Sequence, residues 1–241
     1  MINLKGIVAY DGTAYLGWQE VGMGPTIEGT LQAVLEQILQ HPVSLQAASR
    51  TDAGVHATGQ TIQFFSRKGV PPLRSVNALL PPDVRVLSLE EAPANFHPTL
   101  DALAKEYRYQ LTLSEVQLPH ARRTHWHCPH LDVAAMEEAA DRLRGRHDFA
   151  AFANVTKEGR ENTVRTLHLT FEGELTVVLR AESFLYRMAR NVVGTLVQVG
   201  QGKLPPNAMG DILAGLDRQA AGMCAPAHGL ALVKVDYDRK K

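Results

Sequence analysis

Apolar residues along the 241-residue chain recur with two periods, near 2 and near 3.6, and the switches between them mark the predicted elements. Residues 4–10 read as a strand that Tyr10-Asp11-Gly12-Thr13 breaks, and Tyr15-Leu16-Gly17-Trp18-Gln19 reads as an aromatic, glycine-containing loop. From about Thr26 to Gln40, Ile27, Leu31, Val34, Leu35, Ile38 and Leu39 form one helical stripe. Thr26 is the predicted N-cap behind Pro25, and Pro42 is the stop. Strand-like runs at Val43–Ala48 and Gln60–Phe65 flank a tight loop. Pro71-Pro72 opens a short helical turn to Leu80, Val84–Leu89 alternates as a strand, and Ala104–Leu113 is a longer one with Tyr107, Tyr109 and Leu111 on one face.

Asp132 reads as the N-cap of a helix reaching Arg144 and ended by Gly145. Thr163–Phe171 and Leu175–Ala181 form a predicted hairpin across Glu172-Gly173-Glu174. A long helix from about Ser183 to Gln201 carries Leu185, Met188, Val192, Leu196 and Val199, a stripe that reads as core. On that helix Arg187 and Arg190 are spaced i, i+3, so as to face a common anion. A shorter helix covers Asn207–Leu216, and Gly229–Tyr237 is a final strand. Hairpins are frequent and parallel crossovers are not required. The pattern predicts an α+β fold with helices on one face of antiparallel sheets, in two β-α-β-β halves, residues 1–100 and 101–241.

Composition changes this picture little: 45% apolar and 21% charged is ordinary for a globular protein. No apolar run approaches the roughly 20 residues of a membrane helix, and the N-terminus lacks the pattern of a signal peptide. Two distant cysteines, Cys128 and Cys224, fit a reduced, cytoplasmic protein. The net charge of zero argues mildly against a nucleic-acid partner. However, 17 of the 25 basic residues are arginine, and residues 101–241 hold 19 basic against 17 acidic groups, so a local basic cleft needs no global excess.

The candidate chemistry centres on Ser49-Arg50-Thr51-Asp52-Ala53-Gly54-Val55-His56, which sets a carboxylate on a loop between two strands. A loop aspartate by itself is more often a turn-former. Followed by Thr58-Gly59-Gln60, the string resembles the signature of the tRNA pseudouridine synthase A family. Further segments match in family order: Tyr10-Asp11-Gly12-Thr13 with Gly17-Trp18-Gln19, Asn77–Val84, Lys105-Glu106-Tyr107-Arg108-Tyr109, His147-Asp148-Phe149, Val164-Arg165-Thr166, Phe184–Gly194 and His228–Leu232.

The resemblance implies isomerisation of uridine to pseudouridine in the anticodon arm of tRNA, at tRNA positions 38, 39 and 40, by a homodimer without cofactor. It assigns Asp52 as nucleophile, Arg190 as its ion-pair partner, Arg50 to base flipping and Tyr107 to base stacking. His56, Arg187 and Leu230 are expected at the substrate. A carboxylate can attack C1′ of the ribose or C6 of the uracil, and the residues leave both routes open. Burial raises a carboxyl pKa above its ordinary value of roughly 3.9, and a paired arginine draws it back, so a desolvated Asp52 needs a cation.

His125-Trp126-His127-Cys128-Pro129-His130 offers imidazole and thiolate ligands, but a strand directs His125 and His127 to one side and Cys128 to the other, so no metal is expected. The glycines at 12, 17, 22 and 24 lack the spacing of a dinucleotide fingerprint. Three departures from the family pattern stand out. Ser49 replaces a frequent glycine, no arginine lies near Thr99, and 114–124 is short for a substrate-facing loop. The rival readings are a tRNA-binding protein without catalysis and a pseudouridine synthase for another RNA.

Overall fold

The computed structural model describes residues 1–19, 22–154, 162–173 and 175–237. Its strands are β1 (Ile2–Tyr10), β2 (Gln46–Ala47), β3 (His56–Ser66), β4 (Val84–Glu91), β5 (Ala104–Thr112), β6 (Trp126–His127), β7 (Gly145–Asp148), β8 (Val164–Glu172), β9 (Thr176–Ala181) and β10 (Leu230–Asp236). Its α-helices are α1 (Ile27–Leu39), α2 (Leu73–Leu79), α3 (Val133–Asp141), α4 (Met188–Gly200) and α5 (Ala208–Gly215). The chain divides into two compact units, Met1–Leu103 with the stretch from Ala231 on, and Ala104–Leu230. The division thus falls close to residue 100, but the last strand returns to the first unit.

In the first unit the strand order is β4-β1-β3-β10, with β2 on β3. β1 pairs antiparallel with β3 and β4, whereas β10 lies parallel to β3, Ala231 beside His56 and Leu232 beside Ala57. In the second unit the order is β5-β9-β8-β7, all antiparallel, with β6 parallel to β5. The fold is α+β as expected, but the pairing is mixed, mostly antiparallel. The β10 exception has a simple cause: parallel neighbours need a long connection, and the whole second unit lies between β3 and β10.

α1 forms where the stripe predicts. The Thr26 hydroxyl accepts the Gly29 N–H, and Gln40, left-handed at φ 55°, ends the helix two residues before Pro42. Ile27, Leu31, Leu35 and Leu39 are buried, as are Leu4, Val8, Ile62, Phe64, Val84 and Val86 on the strands, and together these form the first core. The second core surrounds α4, which is buried on nearly every side and joins Leu167, Leu169, Val177, Leu179, Met136, Phe149 and Phe152.

Several boundaries moved. The strand expected over Val43–Ala48 shrinks to Gln46–Ala47, because the Glu36 carboxylate, not a neighbouring strand, takes the Val43 N–H. α3 starts behind its Asp132 cap but stops at Asp141, and Gly145 (φ 95°) opens the unforeseen strand β7. β8 and β9 pair as the predicted hairpin, Glu172 against Thr176, while Glu174 of its turn lies outside the described residues. α4 begins at Met188, five residues later than expected, because Arg187 sits in the left-handed region (φ 60°) that a helix cannot pass through. Among the described residues, no helix is long and apolar enough to cross a membrane.

Candidate active site

In the first unit the signature string forms a turn at the entry to β3. The Val55 N–H donates to the Asp52 carbonyl at 3.1 Å, with Gly54 at φ 79°. The backbone before Asp52 is fastened from three sides. The Thr51 carbonyl accepts the Trp18 N–H at 3.0 Å, and the Thr51 hydroxyl meets the Tyr10 hydroxyl at 2.8 Å. The Gln60 side chain brackets Ser49, accepting its N–H at 3.3 Å and donating to its carbonyl at 2.6 Å.

Two glycines make this closeness possible. A Cβ on Gly12 would lie 2.1 Å from the Val55 carbonyl oxygen, and one on Gly17 (φ 96°) would lie 2.7 Å from that of Thr51. Gly12 also donates its N–H to His56 Nδ1 at 3.1 Å. The Asp11 carboxylate lies 3.2 Å from the same nitrogen. His56, buried, therefore ties the loop to the segment after β1. Asp52 is half-buried and Arg50 is exposed on this pinned backbone. A carboxylate on so constrained a turn loses little freedom on engaging a substrate.

In the second unit Tyr107 lies on the inner face of β5, 5% exposed, with the Phe184 ring edge-on at 4.9 Å and 80°. Two residues on, the Tyr109 hydroxyl donates to the Pro226 carbonyl at 2.8 Å. Burial first, and the neighbouring Cys128, push the Tyr109 phenol far up, while Arg190 draws it partly back. Arg190 stands in the first turn of α4. Its Nε donates to the Ala225 carbonyl at 2.8 Å, and the Ala225 N–H donates to the Arg190 carbonyl at 3.1 Å. Leu230, at the head of β10, is buried.

Arg187 needs a correction. It precedes α4 in a left-handed conformation, so it and Arg190 do not share a helical i, i+3 face. Its exposed guanidinium lies 5.0 Å from the centre of the Tyr186 ring. In the histidine-rich segment His127 Nε2 is 2.7 Å from the Ser114 carbonyl, and burial pushes the Cys128 thiol up to about 12. Among the described residues, no three His, Cys, Asp or Glu side chains form a group able to hold a metal.

Comparison with known proteins bears directly on this arrangement. The model of the tRNA pseudouridine synthase family matches residues 7–98 and 139–238. The tRNA pseudouridine synthase A 2 of Protochlamydia amoebophila (strain UWE25) is 48% identical over 248 residues, 98% of this chain and 95% of its own. The chain belongs to the tRNA pseudouridine synthase family. It is accordingly an enzyme, an isomerase. Two further relatives are named tRNA pseudouridine synthase A. That of Geotalea daltonii (strain DSM 22248 / JCM 15807 / FRC-32) is 40% identical, covering 98% of this chain and 100% of its own. That of Chlamydia trachomatis serovar L2b (strain UCH-1/proctitis) is 40% identical, covering 95% and 90%.

The two stretches matched by the synthase family model hold the Asp52 turn and α4, while Tyr107 falls in the stretch between them. Of the residues singled out in the sequence, Arg50, Asp52 and His56 share one turn of the first unit, and Tyr107, Arg187, Arg190 and Leu230 belong to the second. Sequence reasoning quoted Tyr10, Gly12, Gly17 and Gln60 without seeing that they fasten the synthase loop. It missed Phe184 as the ring partner of Tyr107, and the Ala225 carbonyl, which lies 35 residues from the guanidinium it receives. It also passed over Lys105. That amine is buried at the start of β5 and held down at about 8, chiefly by burial and then by Arg165.

Proposed function

We propose that the chain converts uridine to pseudouridine in the anticodon arm of tRNA, at positions 38, 39 and 40, with Asp52 as nucleophile. Isomerisation of tRNA uridine follows from the family itself. The bond from C1′ to N1 breaks, the uracil turns, and C1′ joins C5. N1 gains a proton and C5 loses one, so atoms and electrons balance with no redox partner, metal or cofactor. The observation that carries the assignment to Asp52 is the pinned turn: glycines at 12 and 17 and the Thr51 contacts hold in place the backbone that carries one half-buried carboxylate.

The remaining roles follow from chemistry. Arg190, its Nε held by the Ala225 carbonyl, is the cation this reading pairs with the Asp52 carboxylate. Arg50, exposed one residue before the pinned Thr51, helps draw the nucleotide from the stack. Extrusion costs a few kcal/mol, and stacking the base on Tyr107 returns about 1–3 kcal/mol, so the two nearly cancel. Arg187, His56 and Leu230 complete the substrate contacts. A cytoplasmic homodimer fits the charge: with zero net charge per chain, two subunits lining one cleft concentrate arginines on the RNA.

The test is a nucleotide-resolution map of pseudouridine in tRNA transcripts treated with the pure protein, alongside tritium release from uridine labelled at C5. Release with pseudouridine confined to positions 38, 39 and 40 is expected. Modification elsewhere in the tRNA overturns the site assignment, and binding without release overturns the chemistry.

A further inference from the structure

The segment from Asp217 to Ala225, between α5 and β10, is strapped onto α4 along nearly its whole length. The Arg218 side chain is the buckle. Its Nη2 donates to the Asn191 Oδ1 at 2.8 Å, and its Nη1 donates to the Gly222 carbonyl at 3.0 Å. Asn191 is fully buried and cannot turn away, because its Nδ2 donates to the Phe152 carbonyl at 2.8 Å and to the Asn154 Oδ1 at 2.9 Å. One turn on, the Thr195 hydroxyl accepts the Gly222 N–H at 2.9 Å while donating to the Asn191 carbonyl at 2.7 Å. The strap is pressed so close that a Cβ on Gly194 would lie 1.8 Å from the Met223 carbonyl oxygen. Its far end is Ala225, whose carbonyl receives the Arg190 Nε.

Asn191 and Arg190 are sequence neighbours, so the buckle and the guanidinium it serves sit on one turn of one helix. The Arg218 Nε is buried and has no hydrogen-bond partner among the described residues. We propose that Arg218 is a positioning residue for the isomerisation: by locking the strap to Asn191 it fixes the Ala225 carbonyl, which in turn aims the Arg190 guanidinium. This rests on the reading of Arg190 as the cation of the active site. Arg218 need not touch RNA. Its effect is orientation, and a misplacement of about 1 Å at a reacting group is worth up to about a hundredfold in rate.

The test is a double-mutant cycle on the full chain, with single-turnover isomerisation of a tRNA transcript as the rate and fluorescence anisotropy as the affinity. Arg218→Met is expected to slow the rate about 30–100-fold and leave tRNA affinity within about threefold, because phosphate contacts dominate affinity. Combined with Arg190→Met it is expected to add nothing beyond about twofold, since no aimed guanidinium remains to be lost. A merely structural role gives a different pattern, with losses multiplying in the double variant. Wild-type rate in Arg218→Met, with Arg190→Met inactive, overturns the positioning role and spares that of Arg190. Wild-type rate in Arg190→Met overturns both. Should Arg218→Met not fold, Thr195→Val takes its place in the cycle: a loss of about three- to tenfold that vanishes in the Arg190→Met background supports the strap, and no loss overturns it.

Discussion

The Asp52 turn and the Arg190 turn present opposite charges, and the protein supports them with different emphasis. Around the first, backbone lies close to backbone at two glycines, Gly12 and Gly17, so segments after β1 lie directly against Thr51 and Val55, and the Gln60 side chain brackets Ser49. Around the second, one such approach, at Gly194 and Met223, is joined by side chains reaching backbone: Arg190 to Ala225, Arg218 to Gly222 and Asn191 to Phe152. Backbone closeness gives a rigid support that tolerates no added atom. Side-chain fastening gives a support that can be loosened one hydrogen bond at a time. The nucleophile proposed at Asp52 must reach a single carbon atom, which suits the former.

The largest effect should come from the group at the centre of the first region. Asp52→Asn is expected to lower the single-turnover rate by on the order of 10⁴-fold or more, with tRNA affinity within a few-fold. Measurable turnover in a sample checked for deamidation would end its role as nucleophile. Next, Tyr107→Ala should cost about 1–3 kcal/mol of stacking, a loss of roughly five- to 150-fold in kcat/KM, while Tyr107→Phe stays within about threefold. Equal activity of the two variants removes stacking from the account.

Gly12→Ala sharpens the comparison directly. With the Val55 carbonyl 2.1 Å from the new Cβ, the loop must shift, and a stability loss of about 1–3 kcal/mol is expected in denaturant titration. Thr195→Val, in the second region, should cost only about 1 kcal/mol or somewhat more. The opposite ranking would show that the two supports are not built as described.

A further effect, read in stability against pH rather than in rate, concerns Lys105. Its folded pKa of about 8 lies below the ordinary 10.5, so the unfolded chain binds more protons between those values and stability rises with pH across that window. Below about pH 8 both states are protonated and the burial penalty is fully present. Lys105→Met removes the penalty. Its stability advantage over the natural chain should shrink by up to ~2–3 kcal/mol as pH rises from about 8 to 10.5. A constant difference across that range would show that the amine is not held down.

Much of this was legible along the chain. The Thr26 cap and the apolar stripe to Leu39 gave α1 to within a residue, and alternation gave β5 with Tyr107, Tyr109 and Leu111 buried together. Residues that contact neighbours a turn or a strand away leave a periodic trace. The left-handed Arg187 left none, because a non-glycine residue in that conformation has no sequence signal, and so α4 was predicted too long and its arginines too closely matched. The parallel partnership of β3 and β10 was equally silent, since it joins residues separated by the entire second unit.

The sequence by itself determined the α+β class, the positions of most elements, the family, and the carboxylate on its glycine-bearing turn, because each is written in local spacing or in an ordered string of motifs. Only the tertiary structure decided what holds that turn still and what fastens the segment against Arg190: the Thr51 carbonyl receiving Trp18, the Gln60 bracket on Ser49, and the hydrogen bond from Arg218 to Asn191. Hydrogen bonds between distant residues depend on where the chain returns in space, and no local pattern of apolar and polar positions records that.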